Sequence, residues 1–561
     1  MTATEAGRAA SKAAREVARQ ALGYSRLRAG QEAAVRSVLE GHDTLAILPT
    51  GSGKSAIYQI AATLIPGPTI VVSPLIALQK DQVESIRAAA DDASDTAAEG
   101  IGRAALVNST IPRAERERAL DGFCDGSIEF LFLAPEQLDD AGLVERLGRA
   151  RVSLFVVDEA HCVTEWGHDF RPAYLRLARV IEALDHPPVL ALTATAAPPV
   201  REEILARLGM RDPRVIVRGF DRPNIRLAVE QFPDEVRKER ALLEWLTAAD
   251  KPGIVYAATR KRAEALAARM ADAGTAAAPY HAGLPARERH RVQDAFMAGD
   301  LDVIVATTAF GMGVDKQNVR FVAHADVAES VDAYYQEVGR AGRDGEPAEA
   351  MLFYRPEDLG IRRFFAASGG IGADDLAAVL GAVRRARTAV DRGVLRRRTR
   401  LSTARVDAAV TRLVDVGAVT VLEGETISAA DTEDGTAELA SWAAQLEERR
   451  RSFDRSRVEM MRGYAEVRDC RREFLLNYFG EPVEEPCGNC DNCERGIVAE
   501  EAEEPFRLNS RVVHPRWGEG LVLRYEGTAI EVLFDAVGYK TLSLTQSLAE
   551  GLLRPAWLAE R

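Results

Sequence analysis

The most informative stretch of the chain is Thr44-Leu45-Ala46-Ile47-Leu48-Pro49-Thr50-Gly51-Ser52-Gly53-Lys54-Ser55. A short apolar run leads into a glycine-rich turn and then into a helical pattern. Such glycines let successive backbone N–H groups point at phosphate oxygens, and the start of the helix adds positive potential. We predict that Lys54 reaches the β- and γ-phosphates of a nucleotide and that the Ser55 hydroxyl binds Mg²⁺. Leu48 replaces the first glycine of the full pattern, so a second motif has to support the prediction.

That second motif is Asp158-Glu159-Ala160-His161, directly after the apolar run Leu154–Val157. An acid at the C-terminal end of a strand is where a phosphate-loop protein holds Mg²⁺. We predict that Asp158 holds the ion and that Glu159 orients and deprotonates an attacking water. The alternative is a pair of solvated carboxylates at a strand end. For His161 we expect a hydrogen-bonding or coupling role.

Short apolar runs alternate with helical patterns from about residue 44 to residue 358. Such runs are typical of buried parallel strands in a doubly wound sheet. The pattern restarts near residues 218–225, which predicts two α/β lobes in tandem. The predicted strands are 44–48, 69–73, 129–133, 154–157 and 189–192 in the first lobe, and 253–256, 277–280, 303–306 and 320–324 in the second.

A third candidate motif lies late in the second lobe, where residues 334–343 read Tyr-Tyr-Gln-Glu-Val-Gly-Arg-Ala-Gly-Arg. Arg340 and Arg343 are three residues apart, so we predict that they lie on one helical face or project together from a helix start. Guanidinium groups match the charge that develops on a transferring γ-phosphoryl group. Supplied from the second lobe, they would make hydrolysis depend on lobe closure. The alternative is two surface arginines on a solvated helix.

Aromatic and basic residues crowd into residues 165–172, shortly after the acidic motif. Trp166, His168, Phe170 and Arg171 stand within this loop. Aromatic faces stack unpaired bases, and arginine contacts phosphate or caps a stack. The loop therefore predicts contact with single-stranded nucleic acid, with core packing as the alternative.

Four of the six cysteines form a C-x₁₆-C-x₂-C-x₂-C pattern, namely Cys470, Cys487, Cys490 and Cys493. Short knuckles plus one distant thiol suit a tetrahedral Zn²⁺ site, which would be structural because four thiolates leave no open coordination position. A disulfide pair and an Fe–S cluster are the alternatives. Six cysteines in this length are too few for a disulfide-built secreted domain.

The composition excludes several classes of protein. The chain has 561 residues, of which 47% are hydrophobic and 28% charged, so a disordered or fibrous chain is excluded. A formal net charge of −13 argues against a wholly basic coat protein but leaves room for a local basic groove. We find no signal-peptide pattern and no window of about 18 apolar residues, so we expect no membrane contact and a cytoplasmic protein.

Together these motifs resemble those of RecQ-family DNA helicases of superfamily 2, over roughly residues 20–365 and 455–495. The resemblance implies an α/β fold with two tandem RecA-like parallel-sheet lobes, and ATP, Mg²⁺ and Zn²⁺ as cofactors. It implies 3′→5′ movement on DNA. Arg343 matches the family's arginine finger, Arg340 its neighbouring phosphate contact, and Gln336 the amide on the γ-phosphate side.

Further family motifs add residues to the site. Residues 22–31 resemble the adenine-recognition motif, which implies that Gln31 reads the adenine edge while Tyr24 and Arg28 pack on its faces. Residues 193–195 resemble the motif that couples hydrolysis to strand movement. Residues 310–316 resemble a motif that touches nucleotide and DNA backbone, and Asp315 belongs to it. Residues 165–172 resemble the aromatic-rich loop that senses single-stranded DNA.

Two segments depart from the family pattern. About ninety residues, roughly 366–455, separate the core from the zinc module. Within them, arginines crowd residues 384–400. A turn plus an amphipathic helix over 401–417, followed by a short hairpin over 418–427, predicts a winged helix. Its basic part is expected to contact DNA, with a solvated face as the alternative. Residues 511–544 resemble the SH3-like (Tudor-like) barrel of UvrD/PcrA-type helicases, which implies a protein partner such as RNA polymerase or a repair protein, or simply a stabilised C-terminus.

We predict five domains: a first RecA-like lobe over 1–220, a second over 221–365, a winged-helix-like domain over 366–440, a helical zinc-binding module over 441–497, and an acidic linker with a barrel over 498–561. The predicted function is an ATP-dependent 3′→5′ DNA helicase in recombination, repair or replication. It would act on single-stranded and duplex DNA as a monomer. The alternatives are a DNA-binding remodeller or transcription-coupled factor without processive unwinding, and an RNA helicase.

Overall fold

The structure is a computed structural model, and it describes residues 3–74, 79, 80, 82–84, 86, 87, 103–108, 111–164, 172–311, 316–360, 362, 363, 370–386, 388–422, 426–430, 432, 434–481, 485–496, 505–508 and 510–556. The chain divides into two compact units. Residues 1–355 and 467–499 form the first, and residues 356–466 and 500–561 form the second. The boundaries predicted for five domains remain predictions.

Seven parallel strands form the sheet of the first lobe. They follow the order β3-β4-β2-β5-β6-β1-β7 across the sheet. The residues of β1, β2, β4, β5 and β6 are all buried, as expected for strands covered by helices on both faces. In chain order the strands are β1 Thr44–Ile47, β2 Thr69–Val72, β3 Ala104–Val107, β4 Phe130–Leu133, β5 Leu154–Val157, β6 Val189–Thr193 and β7 Arg214–Val217.

Six parallel strands form the sheet of the second lobe, in the order β10-β11-β9-β12-β13-β8. Trp245 packs edge-on against Phe321 and Phe353 at 5.2 and 5.8 Å between ring centroids, within the core of this lobe. The predicted fold of two tandem parallel-sheet lobes is confirmed. In chain order the strands are β8 Ile225–Gln231, β9 Gly253–Tyr256, β10 Ala277–Tyr280, β11 Val303–Ala306, β12 Phe321–His324 and β13 Ala348–Tyr354.

In the described part of the two lobes, the nine predicted strands are confirmed to within a residue at each end, and four further strands were not predicted. Three of these four, β3, β7 and β8, lie at the edges of their sheets, where fewer residues are buried and the apolar run is weaker. The fourth, β13, opens with Ala348, Glu349, Ala350 and Met351, residues that are poor strand formers or favour helices.

Helices surround both sheets, and several begin at a side chain that accepts a backbone N–H. Asp140, Asp234, Thr259 and Ser330 play this capping role in the first unit. Its helices are Ala3–Ala21, Ala29–Leu39, Ser55–Leu64, Arg113–Cys124, Ala141–Gly148, Leu177–Ala183, Pro198–Arg207, Glu235–Ala248, Arg260–Asp272, Ala286–Ala298, Val331–Val338, Arg471–Tyr478 and Asp491–Glu494, with 3₁₀ turns at Pro135–Asp139, Ala160–Val163 and Pro172–Arg176. Among the described residues, no helix combines the length and the apolar character needed to cross a membrane.

The second unit begins with a helical segment that has its own apolar core. Three helices are followed by the antiparallel hairpin of β14 and β15, which is the helix and hairpin arrangement predicted for a winged helix. Asp391 and Ser402 cap the second and third helices. The elements are helices Ala373–Ala386, Arg392–Thr399 and Thr403–Asp415, strands β14 Val419–Leu422 and β15 Thr426–Ala429, the long helix Thr436–Glu466, and a 3₁₀ turn at Pro356–Asp358.

An antiparallel sheet with the order β19-β18-β17-β16-β20 completes the second unit. It packs on the long helix, with the rings of Phe453 and Tyr539 at 5.7 Å. A Cβ on Gly538 would lie 2.2 Å from the Ser456 hydroxyl oxygen, so only glycine allows this close approach. The elements are β16 Arg511–His514, β17 Gly518–Glu526, β18 Ala529–Phe534, β19 Gly538–Ser543, the helix Leu544–Ala549 and β20 Arg554–Pro555.

Glu129, just before β4, makes the stability of the first lobe depend on pH. Burial raises the pKa of its carboxyl from 4.5 to about 7, against the opposing effect of Arg103. Since the unfolded chain releases this proton at lower pH than the folded chain, the free energy of unfolding falls as the pH rises through this range. We expect Glu129→Gln to raise the melting temperature at pH 8 by about 2–4 °C, the shift that about 1 kcal/mol produces in a domain of this size.

Calorimetry at pH 5 and pH 8 checks this prediction. The gain at pH 5 should be much smaller, because there the folded protein holds the proton and the unfolded chain is only partly ionised. Glu136→Gln is the matched control, since Glu136 follows the same strand but is exposed. An equal gain at both pH values would contradict the assignment.

Candidate functional site

The candidate site lies at the carboxyl ends of three neighbouring strands of the first lobe. β5, β6 and β1 are adjacent in the sheet, although they are far apart in the chain. The residues after these strands are the acidic motif, the segment Thr193–Thr195 and the phosphate loop. Ligands of open parallel sheets bind at this edge, outside the carboxyl ends of the strands. The sheet therefore brings together three motifs that the sequence predicted separately.

Two glycines shape the phosphate loop. Gly51 has φ +73° and Gly53 has φ +74°, a conformation that glycine adopts readily. A Cβ on Gly53 would lie 2.8 Å from Nε2 of Gln31, and one on Gly51 would lie 3.3 Å from Cδ of Arg343. Gln31 of the adenine-recognition motif therefore lies close to the loop on one side, and Arg343 of the second lobe lies close to it on the other.

Lys54 provides a partly buried cation at the end of this loop. Its Nζ donates to the carbonyl of Leu48 at 3.3 Å. Burial lowers the pKa of Lys54, while the carboxylates of Glu159 and Asp158 act to raise it. A cation facing two carboxylates matches a ligand that carries both phosphates and a divalent ion.

Asp158 is buried directly after β5, where the acidic motif was predicted to hold a metal ion. The Ser73 hydroxyl donates to its Oδ2 at 3.4 Å, and the Glu159 N–H donates to its Oδ1 at 3.0 Å. Burial raises the pKa of Asp158 to about 6; Glu159 adds to the rise, and Lys54 opposes it. A buried carboxylate of this kind is stabilised by a divalent cation, so its chemistry fits Mg²⁺.

Gln82 also lies in the site, beside Ser55 and Asp158, although the sequence did not predict it. Its Nε2 lies 3.4 Å from Oγ of Ser55, and its hydrogen bond to Asp158 lowers the pKa of that carboxyl. The amide therefore stands between the two predicted ligands of Mg²⁺. No motif in the sequence signals this role, because it follows from how the segment containing Gln82 packs beside the loop.

A chain of polar contacts joins the acidic motif to the second lobe. Nδ1 of His161 lies 3.3 Å from Oε2 of Glu159 and 2.9 Å from Oγ1 of Thr193. Thr193 donates to the carbonyl of Thr195 at 3.0 Å, and Nε2 of Gln336 donates to Oγ1 of Thr195 at 3.3 Å. The hydrogen-bonding role expected for His161 is confirmed, and Gln336 is placed opposite the first lobe.

Arg340 and Arg343 do not lie on a helix, so their predicted placement on one helical face or at a helix start was wrong. The helix Val331–Val338 ends before them, and both lie in the turn that follows. Glycine lowers helix propensity, and Gly342 has φ +54°, outside the helical range. The turn still directs Arg343 against Gly51 of the phosphate loop.

Arg340 lies deeper in the second lobe than Arg343. It is buried, and it forms a hydrogen bond with the hydroxyl of Tyr256. Its Nη2 would lie 3.5 Å from a Cβ on Gly311. In this structure Arg340 therefore supports the turn, while its predicted phosphate contact stays a prediction.

The adenine motif packs directly on the phosphate loop. The side-chain amide of Gln31 is buried and donates to the carbonyls of Ser52 and Gly53 at 2.9 and 3.0 Å. Its oxygen accepts the N–H of Arg28 at 2.8 Å. Tyr24 is 43% exposed. The amide thus supports the loop in this structure, and its predicted reading of adenine stays a prediction, as do the roles of Tyr24 and Arg28.

Five predicted site residues lie outside the described residues. They are the predicted DNA contacts Trp166, His168, Phe170 and Arg171, and Asp315 of the second-lobe motif.

The four predicted zinc ligands come together in the first unit. The sulfur atoms of Cys470, Cys487, Cys490 and Cys493 all lie within 4.8 Å of one another, and those of Cys487 and Cys493 are 3.9 Å apart. A tetrahedron with Zn–S bonds of about 2.3 Å has edges of about 3.8 Å. The cluster therefore fits Zn²⁺, with four protein ligands and no open position.

Backbone amides support the cysteine sulfurs. The N–H of Cys487 donates to Sγ of Cys470 at 3.4 Å, and the N–H of Asn489 donates to Sγ of Cys487 at the same distance. Arg471 donates to Asp491 at 3.0 Å within the buried part of this module. Such donors favour thiolates, the form in which cysteine binds a metal.

Cys490→Ser is expected to remove the bound zinc and lower the melting temperature, because structural zinc contributes directly to folding free energy. The metal content of the purified protein, measured by atomic emission, checks this. Cys124→Ser is the control, since that thiol lies outside the cluster and should leave a stoichiometric zinc content. A variant at Cys490 that keeps full zinc would contradict the four-cysteine site.

Three parts of the chain match known family models. Residues 28–204 match the DEAD/DEAH box helicase family, residues 237–345 match the helicase conserved C-terminal domain, and residues 432–494 match the RecQ zinc-binding family.

Curated relatives and solved structures agree with these matches. The chain is 34% identical to ATP-dependent DNA helicase RecQ of Pasteurella multocida, over 85% of this chain and 62% of that protein, so it spans about three fifths of that relative. It is 39% identical to the probable ATP-dependent DNA helicase RecS of Bacillus subtilis, over 64% of this chain and 71% of that protein. The crystal structure of the DUF1998 helicase MrfA bound to DNA shares the fold, with a TM-score of 0.52 and 17% identity over 76% of this chain and 63% of that chain.

The matched families, the curated relatives, the paired lobes and the four-cysteine cluster lead to one conclusion. The chain belongs to the RecQ family of superfamily 2 helicases.

Proposed function

We propose that this protein is an ATP-dependent DNA helicase that moves 3′→5′ along one strand and unwinds duplex DNA. The observation that carries the proposal is the position of Arg343, from the second lobe, beside Gly51 in the phosphate loop of the first lobe. An arginine supplied in this way stabilises the charge on a transferring γ-phosphoryl group. It also makes hydrolysis sensitive to movement between the lobes. The names of the relatives support DNA as the substrate.

In the proposed reaction, ATP lies between the strand ends of the first lobe and the turn that carries Arg343. Lys54 contacts the β- and γ-phosphates, Ser55 and Asp158 hold Mg²⁺, and Glu159 orients and deprotonates the attacking water. Mg²⁺ supplies neutralisation of phosphate charge when bound. Burial raises the pKa of Asp158, and a bound divalent cation would favour its ionised form.

Single-stranded DNA is the proposed activator of hydrolysis. Trp166 and Phe170 would stack unpaired bases, and His168 and Arg171 would contact the backbone. The polar chain from Gln336 through Thr195, Thr193 and His161 supports a link between the bound strand and the acidic motif, because its members bridge the two lobes.

Unwinding of forked duplexes tests the proposed function. The full-length protein with ATP and Mg²⁺ should separate a DNA fork with a 3′ single-stranded tail, and should leave a 5′-tailed duplex of the same sequence intact. Preferential separation of the matching RNA fork would favour an RNA helicase. DNA-stimulated hydrolysis without strand separation would favour a remodeller or a transcription-coupled factor. Absence of DNA-stimulated hydrolysis would refute the proposed ATPase activity.

A second DNA contact is proposed on the helical segment of the second unit. Five arginines of this segment are exposed and have no carboxylate partner among the described residues. Other arginines nearby are neutralised, since Arg405 pairs with Asp375 and Arg392 with Asp407. An unneutralised cluster beside a helix-turn-helix and hairpin matches the phosphate backbone of duplex DNA. The five are Arg385, Arg396, Arg397, Arg398 and Arg400.

Replacing Arg396, Arg397 and Arg400 together by alanine is expected to weaken binding of duplex DNA. The slope of log K against log salt is negative, and each phosphate contact removed in this way should make it less steep by about 0.9. Fluorescence anisotropy of a labelled duplex over a salt series measures this slope. Arg405→Ala is the control, because Asp375 already balances its charge. An unchanged slope in the triple variant would show a merely solvated basic face.

We also propose that the C-terminal sheet binds a protein partner, such as RNA polymerase or a repair protein, and that the helicase acts as a nucleoid-associated monomer in the cytoplasm. The sheet has its own apolar core, formed by residues such as Val512, Val532 and Phe534, which supports a separate module. Light scattering of the purified chain tests the monomer, and a dimer mass would contradict it.

A further inference from the structure

The linker between the two lobes, residues 218–224, contacts the turn over residues 339–344, which carries Arg340 and Arg343. The guanidinium of Arg222 donates to three backbone carbonyls of this turn: Gly339 at 3.2 Å, Ala341 at 2.8 Å and Gly342 at 2.9 Å. Carbonyls just beyond the end of a helix have no partner within the helix, and a cation is favourable there. One side chain of the linker therefore holds the backbone on either side of Arg340.

A second linker residue fixes the same turn. Nδ2 of Asn224 donates to the carbonyls of Gly342 at 2.8 Å and Glu346 at 2.9 Å. Gly342 has φ +54°, and a Cβ there would lie 2.4 Å from Nδ2 of Asn224. The turn can therefore adopt this conformation only with glycine at 342, because Asn224 of the linker contacts the backbone there.

The zinc module anchors the linker on both sides of Arg222. Before it, the N–H of Phe220 donates to Glu481 at 2.8 Å, and the Phe220 ring stacks on Phe479 at 4.6 Å. After it, Arg472 donates to the carbonyl of Ile225 at 2.6 Å. Because the linker is fixed at both ends, Arg222 is held in place relative to the turn.

We infer that Arg222 is a positioning residue for ATP hydrolysis, which holds the turn so that Arg343 faces the phosphate loop. The inference rests on the proposed function. The hydrogen bonds of the Arg222 guanidinium go to the backbone of the turn, so its effect on hydrolysis passes through the position of Arg343. Without these bonds Arg343 can move away from the transferring group, and a displacement of about 1 Å costs about 10²-fold in rate.

ATP hydrolysis at saturating single-stranded DNA tests the inference. Arg222→Ala should lower kcat by about 10²-fold while KM for ATP stays within about 2-fold, because a correctly placed Arg343 acts mainly in the transition state. Arg222→Lys keeps the charge but lacks the planar fork, so its kcat should lie between those of wild type and Arg222→Ala. The lysine variant also keeps the experiment decisive if the alanine variant melts at a much lower temperature.

Arg226→Ala is the matched control. Arg226 lies four residues further along and donates to Glu494 of the zinc module at 2.6 Å, and its ion pairs are with Glu494 and Glu349 rather than with the arginine turn. Its removal should leave kcat near the wild-type value. A fall in kcat as large as that of Arg222→Ala would show a general structural effect and would overturn the inference.

A double variant separates positioning from an independent role. If Arg222 acts through Arg343, the variant Arg222→Ala with Arg343→Ala should have the same kcat as Arg343→Ala alone. A double variant that is slower by the product of the two single effects would overturn the inference, as would an unchanged kcat in Arg222→Ala. A wild-type chain without DNA-stimulated hydrolysis would refute the proposed function and the inference together. If the wild type is active and the variants do not behave as expected, only the inference is refuted.

Discussion

Lys54→Ala is expected to reduce ATP hydrolysis by at least about 10³-fold, because removal of one charged donor aimed at the transition state costs about 10²–10³-fold and this side chain also binds the ground state. The ammonium is partly buried at the end of the phosphate loop, near Glu159 and Asp158. Its removal leaves these carboxylates close to the phosphates without the cation that offsets their charge. Nucleotide affinity should therefore fall together with kcat.

Steady-state hydrolysis with and without single-stranded DNA, together with binding of a fluorescent ATP analogue, measures both effects. Lys80→Ala is the control, because Lys80 is exposed in the same lobe and forms an ion pair with Glu84, on the surface. Undiminished DNA-stimulated turnover in Lys54→Ala would exclude this loop as the nucleotide site.

Arg343→Ala has the second large expected effect, a fall of about 10³–10⁵-fold in kcat, the range typical of arginine fingers. The side chain lies against Gly51 of the phosphate loop, yet it belongs to the second lobe. In the proposed role it would stabilise charge only when the lobes are together, so we expect it to contribute more to kcat than to ATP binding. The prediction is a large fall in kcat with a small change in nucleotide affinity.

Single-turnover hydrolysis and nucleotide binding separate these two quantities. Arg291→Ala, a surface arginine of the second lobe that pairs with Glu288, should behave as wild type. Arg343→Lys should recover little activity, since an ammonium lacks the planar fork of the guanidinium. A decrease in ATP affinity that accounts for the whole effect in Arg343→Ala would mean that this residue binds the ground state instead.

The interior strands and the chemistry of the site were predictable from the sequence, for a common reason. β1, β5 and β6 are short buried apolar runs, and the groups predicted to bind phosphate or metal follow them directly. The spacing of Cys487, Cys490 and Cys493 likewise predicts a metal site, because short knuckles bring these three thiols close together, whereas Cys470 joins them through the fold of the module.

The edge strands and the arginine turn were the hardest parts to predict. β3, β7 and β8 each have one edge without a neighbouring strand. Fewer of their residues are buried, so fewer of them need to be apolar and the sequence pattern of a strand is weaker. Residues 334–343 look helical by spacing, but the helix ends at Val338. Contacts from the linker, which are distant in sequence, hold the following turn in place.

Local sequence patterns were sufficient to predict which residues carry the chemistry: the lysine and glycines of the phosphate loop, the acidic pair, the arginines and the thiols. These are local patterns, whose meaning depends on a few neighbouring residues. How these residues come together depends on the packing of segments that are distant in the chain. Gln82 stands between the predicted magnesium ligands, and Arg222 holds the arginine turn, because segments distant in the chain pack side by side. Such contacts depend on the order of strands and the path of the linker, which no local pattern records.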